Sequence, residues 1–553
     1  MIFLVERKLM NKFRFAIIFA VCAGIFACFS SCAKKSLDEQ GIHLFMVSVP
    51  GGVLYMGNDS GEENEAPVHT VILSGFEMSK NEISVELYNK IMKVKENPLQ
   101  EDPLVNVSWF DAIEFCNRLS KKAGYKPCYK VDGNNVACDF SANGFRLPTE
   151  AEWEYVARQE KELVASDAER FDNINNGIAE WCYDFNGLYS AGEQINPSGF
   201  ESGTERICRG KDGFVSARSH AVPEAKSDSI SFRVCRSGDE YGKDVVSIKH
   251  EHDQKIFEAN RKKFAPLERM VTVTGGTFQM GNDGENGSEK PVHQVTVSDF
   301  EMGATEVTYK LYKDVIGRKP GEFIDGEDTP VQDASWYDAI YFCNKLSLLE
   351  GRVPCYKING ESDPAKWGEV PYTKIESTTY GDQEAASYMS VIGNVSMWDS
   401  VTCDFTTDGY RLPTEAEWEF AARGGVNNSK TKYSGSDKLN EVAVHNGNWK
   451  HKFAPVAAQK KANALGIYDM SGSAWEWCWD WSSNYTQEAQ TDPHGPSTGK
   501  SRVRRGGSVL DFVDTVDYTV SSRSSYEPCY SSNSNYPFEK AGLFGFRIVR
   551  TYK

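Results

Sequence analysis

The stretch Arg-Leu-Pro-Thr-Glu-Ala-Glu-Trp-Glu occurs twice in this chain, at residues 146–154 and 411–419. Identity over so long a run indicates that the chain carries two tandem copies of one domain. In each copy the stretch predicts the start of a helix. The threonine and the glutamate three residues after it form a capping box, and the proline before them stops a helix that enters from upstream.

The residues on either side extend the repeat. Asn-Gly-Phe before and Tyr-Val-Ala-Arg after the first copy become Asp-Gly-Tyr and Phe-Ala-Ala-Arg-Gly-Gly in the second. With these flanks the stretch resembles the hallmark of the formylglycine-generating enzyme, or sulfatase-modifying factor, family. The resemblance implies an irregular α+β fold of C-type-lectin-like character, present twice. That family includes copper-dependent oxidases that convert cysteine to formylglycine, the substrate-binding half of iron-dependent sulfoxide synthases, and members with no known chemistry.

The N-terminal segment has the layout of a secretory signal. Lys12 and Arg14 precede the apolar run 15–29, which is too short for a membrane span. The run ends in small residues just before Cys32, which resembles a bacterial lipoprotein cleavage box. We therefore expect residues 1–32 to be a lipoprotein signal peptide, with Cys32 lipidated and the protein anchored to a membrane of the bacterial cell envelope, on the outer membrane or the periplasmic face. An ordinary signal peptide is the alternative.

The repeat and the composition between its copies set the domain boundaries. We place a degenerate first copy at 42–237, a polar linker at 238–268 and the second copy at 269–553, with an insertion at 356–402 that we expect on the surface. The linker is predicted to contain a helical turn around 254–263. In the first copy only eight residues separate Arg209 from Arg218, whereas seventeen separate Arg505 from Arg523. The first copy therefore lacks the segment that would carry a site.

The charge of the chain excludes one class of partner. The net charge is −17 and the isoelectric point is near 5.2. A nucleic-acid backbone requires a basic face, so we expect no nucleic acid among the partners.

Export shapes how the cysteines are interpreted. Of 14 cysteines, 11 remain once Cys22 and Cys28 leave with the signal and Cys32 carries lipid. Four recur in both copies: Cys116 with Cys343, Cys128 with Cys355, Cys138 with Cys403, and Cys182 with Cys478. In an oxidising compartment we expect disulfides within each copy, and their connectivity stays open.

One glycine-containing turn of the second copy, at 466–477, matches a turn that binds structural calcium in the family. Carried over, the ligands are the side chains of Asp469 and Glu476 and the backbone carbonyls of Gly472 and Ala474. Such a set of hard oxygen donors suits calcium. The first copy has Asn173 at the acidic position, so we expect calcium in the second copy. The recurring histidines, His69 and His293, are given no catalytic role.

The stretch after Arg-Gly-Gly-Ser at 505–508 decides whether the family's oxidase chemistry is present. The copper-dependent oxidases carry two cysteines there, because soft Cu(I) needs thiolate ligands. This chain has Asp511, Asp514 and Asp517 instead, and its next cysteine is Cys529. We therefore do not expect copper.

The leading hypothesis is a non-catalytic binding or scaffold lipoprotein. Its second copy is predicted to bind an exported protein, a peptide or a glycan in the family's substrate groove, with four candidate residues: Ser508, Asp511, Asp514 and Arg523. The alternative is an oxidoreductase, either a formylglycine-generating oxidase that recruits Cys478 or Cys529, or an iron-dependent relative, acting on cysteine of exported proteins.

Overall fold

The computed structural model describes residue 37 and the ranges 41–94, 102–163, 171–172, 174–175, 177–211, 213–238, 241–284, 287–318, 326–332, 334–380, 383–427, 430–449, 457–511, 517–529 and 543–552. The chain divides into two compact units, Met1–His252 and Asp253–Lys553. Cys32 and the predicted signal peptide lie outside the described residues. Among the described residues, no helix is long and apolar enough to cross a membrane.

The first unit combines short strands with a few helices. Its strands are β1 (Met46–Val49), β2 (Gly52–Met56), β3 (His69–Leu73), β4 (Phe76–Ser79), β5 (Tyr129–Asp132), β6 (Asn135–Cys138), β7 (Phe145–Arg146), β8 (Ala179–Phe185), β9 (Gln194–Ile195), β10 (Arg206–Arg209), β11 (Arg218–Ala221), β12 (Ile230–Ser231) and β13 (Cys235–Ser237). Its helices are α1 (Val85–Met92), α2 (Trp109–Lys122) and α3 (Glu150–Leu163), followed by α4 (Val245–Glu268), which runs on past the end of the unit.

The second unit repeats this plan. Its strands are β14 (Met270–Val273), β15 (Gly276–Met280), β16 (His293–Val297), β17 (Phe300–Gly303), β18 (Tyr356–Lys357), β19 (Tyr372–Tyr380), β20 (Gln383–Ile392), β21 (Thr402–Cys403), β22 (Tyr410–Arg411), β23 (Trp475–Trp481), β24 (Gln490–Thr491), β25 (Arg502–Arg505), β26 (Arg523–Tyr526), β27 (Phe544–Gly545) and β28 (Val549–Thr551). Its helices are α5 (Tyr309–Ile316), α6 (Trp336–Leu349), α7 (Val395–Asp399), α8 (Glu415–Ala422) and α9 (Leu439–Val442).

Sheet topology shows the duplication directly. The first unit has sheets in the orders β1-β4-β13-β7, β2-β3-β9 and β11-β10-β8-β12, and the second has β14-β17-β28-β22, β15-β16-β24 and β26-β25-β23-β27. Each of these three sheets therefore has a counterpart with the same strand order in the other unit. The two-stranded sheets β5-β6 and β18-β21 also correspond, whereas β19-β20 lies in the insertion of the second unit. The α+β fold and its duplication, both predicted from sequence, are confirmed.

The repeated stretch forms the predicted helix start in both units. Thr414 Oγ1 accepts the Glu417 amide at 3.2 Å, and Glu417 Oε2 accepts the Thr414 amide at 2.8 Å. The same Glu417 carboxylate receives both terminal nitrogens of buried Arg411 at 2.7 Å. Arg146, Thr149 and Glu152 repeat the arrangement in the first unit. One glutamate thus caps the helix and neutralises an arginine from the preceding strand.

Two segments differ from expectation. The predicted linker contains a full helix, α4, where a single turn was expected. Its Phe264 is buried in a core cluster of the second unit, so apolar packing explains the added length. The insertion 356–402 is not wholly peripheral, because Trp367 and Trp398 are buried in that same cluster. The antiparallel pair β18 and β21 joins the two ends of the insertion at its base, and β19 pairs with β20 within the insertion.

Replacing Glu417 by alanine should lower the free energy of unfolding by about 3–5 kcal/mol, because Arg411 would stay buried without its counter-charge. Urea unfolding followed by tryptophan fluorescence measures the change. The matched control is Lys310→Ala, which removes the half-buried helical pair between Lys310 and Asp314 at 3.5 Å and should cost below about 0.5 kcal/mol. Equal losses in the two variants would contradict this account.

Candidate functional site

The predicted calcium turn is built on backbone that few side chains adopt. Asp469 and Ser473 have φ of 60° and 66°, and Gly472 has φ of 92°. Asp469 is buried, and its Oδ2 accepts the Ala458 amide at 2.7 Å. Burial raises the pKa of Asp469 to about 6. The turn therefore holds a carboxylate in a place that disfavours its negative charge.

Glu476, the second predicted side-chain ligand, has other partners. It lies on β23, and its carboxylate receives Arg547 through Nε at 2.5 Å and Nη2 at 2.6 Å. Trp418 Nε1 donates to the same carboxylate at 2.8 Å. Glu180 of the first unit holds Arg233 and Trp153 in the same way. Glu476 thus neutralises a buried arginine in a network common to both units.

The structure adds a carboxylate that sequence reasoning missed. Glu306, just after β17, is 2% exposed, and neither of its carboxylate oxygens has a hydrogen-bond partner among the described residues. Burial raises its pKa well above the ordinary value, and the charges of Asp469 and Glu476 raise it further. The recurrence of a glutamate at the same place, Glu82 in the first unit, was the available sequence signal.

Side chains alone do not complete a metal site at this turn. In the described ranges, no three histidine, cysteine or acidic side chains are grouped to hold a metal ion. A cation here would need main-chain oxygens as well, as in the predicted set with the carbonyls of Gly472 and Ala474. The two unpaired oxygens of Glu306, beside Asp469, fit such a cation.

Ser508 is sealed inside a local hydrogen-bonded turn. It is 0% exposed, and its amide and Oγ both donate to Asp511 Oδ2, at 2.7 and 2.8 Å. The Tyr518 hydroxyl donates toward the carbonyls of Ser508 at 2.9 Å and Asp511 at 2.7 Å. The Asp511 carboxylate is therefore the hydrogen-bond acceptor for Ser508. Asp514 lies outside the described residues.

Arg523 lies in a different environment from Ser508. Its Nε and Nη2 bind the two oxygens of Glu415 at 2.7 and 2.6 Å, and its guanidinium lies 4.1 Å from the ring centre of Tyr485. In the first unit Arg218 makes the same contacts with Glu150 and Tyr189. Arg218 is thus the counterpart of Arg523, although the chain before it is shorter.

These arginines line a cavity that occurs in both units, which we call the repeat pocket. Its volume is about 510 Å³ in the second unit and about 330 Å³ in the first. Ten residue types recur in its wall: Met280, His293, Glu415, Ala416, Asp480, Tyr485, Gln490, Pro493, Gly495 and Arg523 in the second unit, and Met56, His69, Glu150, Ala151, Asp184, Tyr189, Gln194, Pro197, Gly199 and Arg218 in the first. Neither Ser508 nor Asp511 lines it. The structure therefore separates the predicted site residues into two places.

The rest of the pocket wall distinguishes the units. Ser483, Asn484 and His494 of the second pocket correspond to Gly187, Leu188 and Ser198 of the first, as the chain order of the two walls shows. The second pocket is larger and richer in hydrogen-bonding side chains. It is the better candidate for a polar ligand.

A buried aspartate is common to both pockets. Asp480 Oδ2 accepts the Glu415 amide at 2.8 Å. Burial raises the pKa of Asp480 to about 8, with a further contribution from the charge of Glu415. In the first unit, Asp184 Oδ2 accepts the Glu150 amide at 2.8 Å, and burial raises the pKa of Asp184 to about 8. At neutral pH each pocket therefore contains a protonated carboxyl group. The sequence carries no signal of this protonation, because the rise in pKa comes from packing.

The two cysteines of the oxidase alternative lie in separate core clusters. Cys478 packs with Trp418 and Val503 in one cluster, and Cys529 belongs to another with Trp336. Burial raises the pKa of the Cys478 thiol well above its ordinary value. Among the described residues every cysteine is a free thiol, so the predicted disulfides remain a prediction.

Comparison with known proteins places the fold in a family. The profile of the sulfatase-modifying factor enzyme 1-like domain matches residues 36–199 and 254–552. The chain is 34% identical over 302 residues to the chaperone protein LppX of Paenibacillus barcinonensis, covering 51% of this chain and 89% of that protein. It is 29% identical over 307 residues to the formylglycine-generating enzyme of Streptomyces coelicolor, covering 51% and 88%. Among solved structures, Treponema denticola variable protein 1 matches 51% of this chain and 95% of that chain, with 30% identity and a TM-score of 0.42.

The buried aspartate predicts a pH dependence of stability. Because the pKa of Asp480 is raised to about 8 in the folded chain, only the folded state keeps the proton between about pH 4 and about pH 8. As pH rises through this window, Asp480 and Asp184 should each lower the free energy of unfolding by up to about 1.4 kcal/mol per pH unit. Asp480→Asn keeps an oxygen for the Glu415 amide and should reduce that slope in urea titrations. Asp184→Asn is the matched variant, and an unchanged slope in the double variant would refute the assignment.

Proposed function

Since this chain belongs to the sulfatase-modifying factor enzyme 1-like family, we propose that it is a non-catalytic binding or scaffold protein of the bacterial cell envelope. The proposal includes a lipid anchor at Cys32. One observation carries the non-catalytic part: Ser508 is sealed by Asp511 and Tyr518, in a stretch whose sequence has no cysteine before Cys529.

The chemistry of that stretch supports binding over oxidation. Cu(I) requires soft ligands, and carboxylates are poor ones. The Asp511 carboxylate is already engaged by Ser508, which leaves it as a structural acceptor. The nearest alternatives, Cys478 and Cys529, are buried in separate clusters. We therefore propose no copper site.

The proposed ligands are an exported protein, a peptide or a glycan, held at the repeat pocket of the second unit. The similarity to a protein named as a chaperone supports a protein or peptide partner. Asn484, Thr486 and His494 give that pocket hydrogen-bonding groups, and Tyr485 and Trp481 add aromatic surface. An acidic chain gives no support to nucleic acid.

The second candidate function is a formylglycine-generating oxidase, or an iron-dependent relative, acting on cysteine of exported proteins. The similarity to the Streptomyces coelicolor enzyme favours it. It requires chemistry at Ser508 without the usual pair of cysteines. The two functions differ in outcome, because an oxidase changes the mass of a cysteine peptide and a binding protein only retains it.

A single experiment separates these functions. Arrays of peptides, with and without cysteine, and of bacterial glycans are incubated in air with the purified chain, supplied with Cu(I) or Fe(II) in separate samples. We expect retention of one ligand class without conversion of thiol to aldehyde by mass spectrometry. Asn484→Leu, which introduces the residue of the first unit, should weaken retention, whereas Leu188→Asn should not.

The Streptomyces coelicolor enzyme serves as the positive control for conversion. Conversion that disappears in Ser508→Ala would establish the oxidase and overturn the binding proposal. Retention unaffected by Asn484→Leu would place the ligand outside the repeat pocket.

We also propose a structural calcium ion at the turn of the second unit. Glu306 and Asp469 would hold the ion together with the predicted carbonyls of Gly472 and Ala474. Glu476 would be a further ligand that keeps its ion pair with Arg547. Bound calcium would neutralise two buried carboxylates and fix the turn that precedes β23. In the first unit the position of Asn173 is outside the described residues.

Calcium should therefore raise the melting temperature of the chelator-treated chain, because an ion that binds only the folded state stabilises it by about 2.7 kcal/mol at a hundred times its Kd. Glu306→Gln and Asp469→Asn should each reduce this shift. The first-unit variant Glu82→Gln is the control and should retain it. If calcium raises the melting temperature of Glu306→Gln and Asp469→Asn as much as that of the parent chain, calcium binds elsewhere.

A further inference from the structure

Two cysteine pairs occupy the same position in the two units. Cys128 precedes β5 and Cys138 ends β6, where Tyr129 pairs with Cys138. The Asp139 amide donates to the Cys128 carbonyl at 2.8 Å, and the Cys138 thiol lies close enough to lower the pKa of the Cys128 thiol. The two cysteines are therefore neighbours at the end of one antiparallel ladder.

The second unit repeats this contact at the base of its insertion. Cys355 precedes β18 and Cys403 ends β21, where Tyr356 pairs with Cys403. The Asp404 amide donates to the Cys355 carbonyl at 2.8 Å, and the Cys403 thiol lies close enough to lower the pKa of the Cys355 thiol. Recurrence of the contact on two otherwise different loops indicates that the pair itself has been retained.

Each pair has one buried and one accessible sulfur. Cys128 and Cys355 are buried, whereas Cys138 and Cys403 are partly exposed. The buried thiols also donate to backbone carbonyls, Cys128 to Gly144 at 3.2 Å and Cys355 to Gly409 at 3.3 Å. An incoming reagent can therefore reach one sulfur while the backbone positions the other.

The surroundings favour the thiolate form of the buried sulfur. The neighbouring Cys138 thiol lowers the pKa of Cys128, and the positive charge of Arg146 lowers it further. Cys403 and Arg411 act in the same way on Cys355, with the Thr407 hydroxyl donating to its sulfur at 3.1 Å. By contrast, burial and the neighbouring sulfur raise the pKa of the partner thiols, Cys138 and Cys403. Burial also raises the pKa of Cys182 and Cys478.

We propose that Cys128–Cys138 and Cys355–Cys403 are two dithiol–disulfide sites that oxidise by exchange with a small-molecule disulfide such as oxidised glutathione. One cysteine thiolate attacks a glutathione sulfur, forming a mixed disulfide and releasing one glutathione. Its deprotonated neighbour then attacks the protein sulfur of the mixed disulfide and releases the second. Two cysteines are oxidised by two electrons, the reagent is reduced to two thiols, and the two protons leave on them.

The consequence is a covalent closure at the base of two loops of different length. The pair in the first unit encloses nine residues and the pair in the second encloses forty-seven. A bond that closes a longer loop removes more conformational entropy from the unfolded chain. The second site should therefore stabilise its unit more than the first.

Mass spectrometry of the full chain tests the proposal. After equilibration with oxidised glutathione, free thiols are alkylated under denaturing conditions and the chain is cut with trypsin. We expect peptide 123–130 linked to 131–146 and peptide 353–357 linked to 375–411, each lighter than the sum of its parts by two hydrogens. Cys182 and Cys478 should be found alkylated.

Variants make the assignment falsifiable through stability as well. Oxidation should raise the melting temperature of the parent chain, Cys403→Ser should lose most of that increase, and Cys138→Ser should lose less. Cys182→Ser is the control and should keep all of it. Cysteines linked in other combinations, absence of the two linked peptides, or protection from alkylation that a Cu(I) chelator reverses would each overturn the proposal.

Discussion

The fold depends on pairing buried arginines with the glutamates of one short helix. In the second unit the three glutamates of the repeated stretch meet arginines from three strands: Glu415 binds Arg523, Glu417 binds Arg411 and Glu419 binds Arg505. The first unit has Glu150 with Arg218 and Arg209, Glu152 with Arg146, and Glu154 with Arg209. A buried charge without a partner costs several kcal/mol, so these strands must be positioned around the helix. This explains why the stretch stays identical while its surroundings diverge.

Sequence predicted the parts of the fold that depend on neighbours along the chain. The capping boxes at Thr149 and Thr414 both formed, because each needs only residues three apart. The arginine partners could not be assigned in this way. Glu415 and Arg523 are far apart in sequence and meet only after the sheets have formed.

The same limit applies to the candidate site. A family resemblance placed Ser508 and Arg523 together, and the structure places them in different networks, one with Asp511 and one with Glu415. Glu306 was missed because its isolation is a property of packing, with no motif to mark it. Asp480 was missed for a similar reason, since burial, with the nearby charge of Glu415, raises the pKa of this aspartate to about 8.

The two units together separate what the scaffold requires from what it tolerates. The first unit has a shorter chain between Arg209 and Arg218, yet Arg218 keeps its glutamate and its tyrosine. The length of this segment is therefore free to change without loss of the repeat pocket. In the second unit the longer segment begins near Ser508, whose amide and hydroxyl donate to Asp511. The arginine–glutamate pairs thus preserve the fold and the repeat pocket while the segment between Arg505 and Arg523 differs in length from its counterpart, which is the arrangement expected of a binding scaffold.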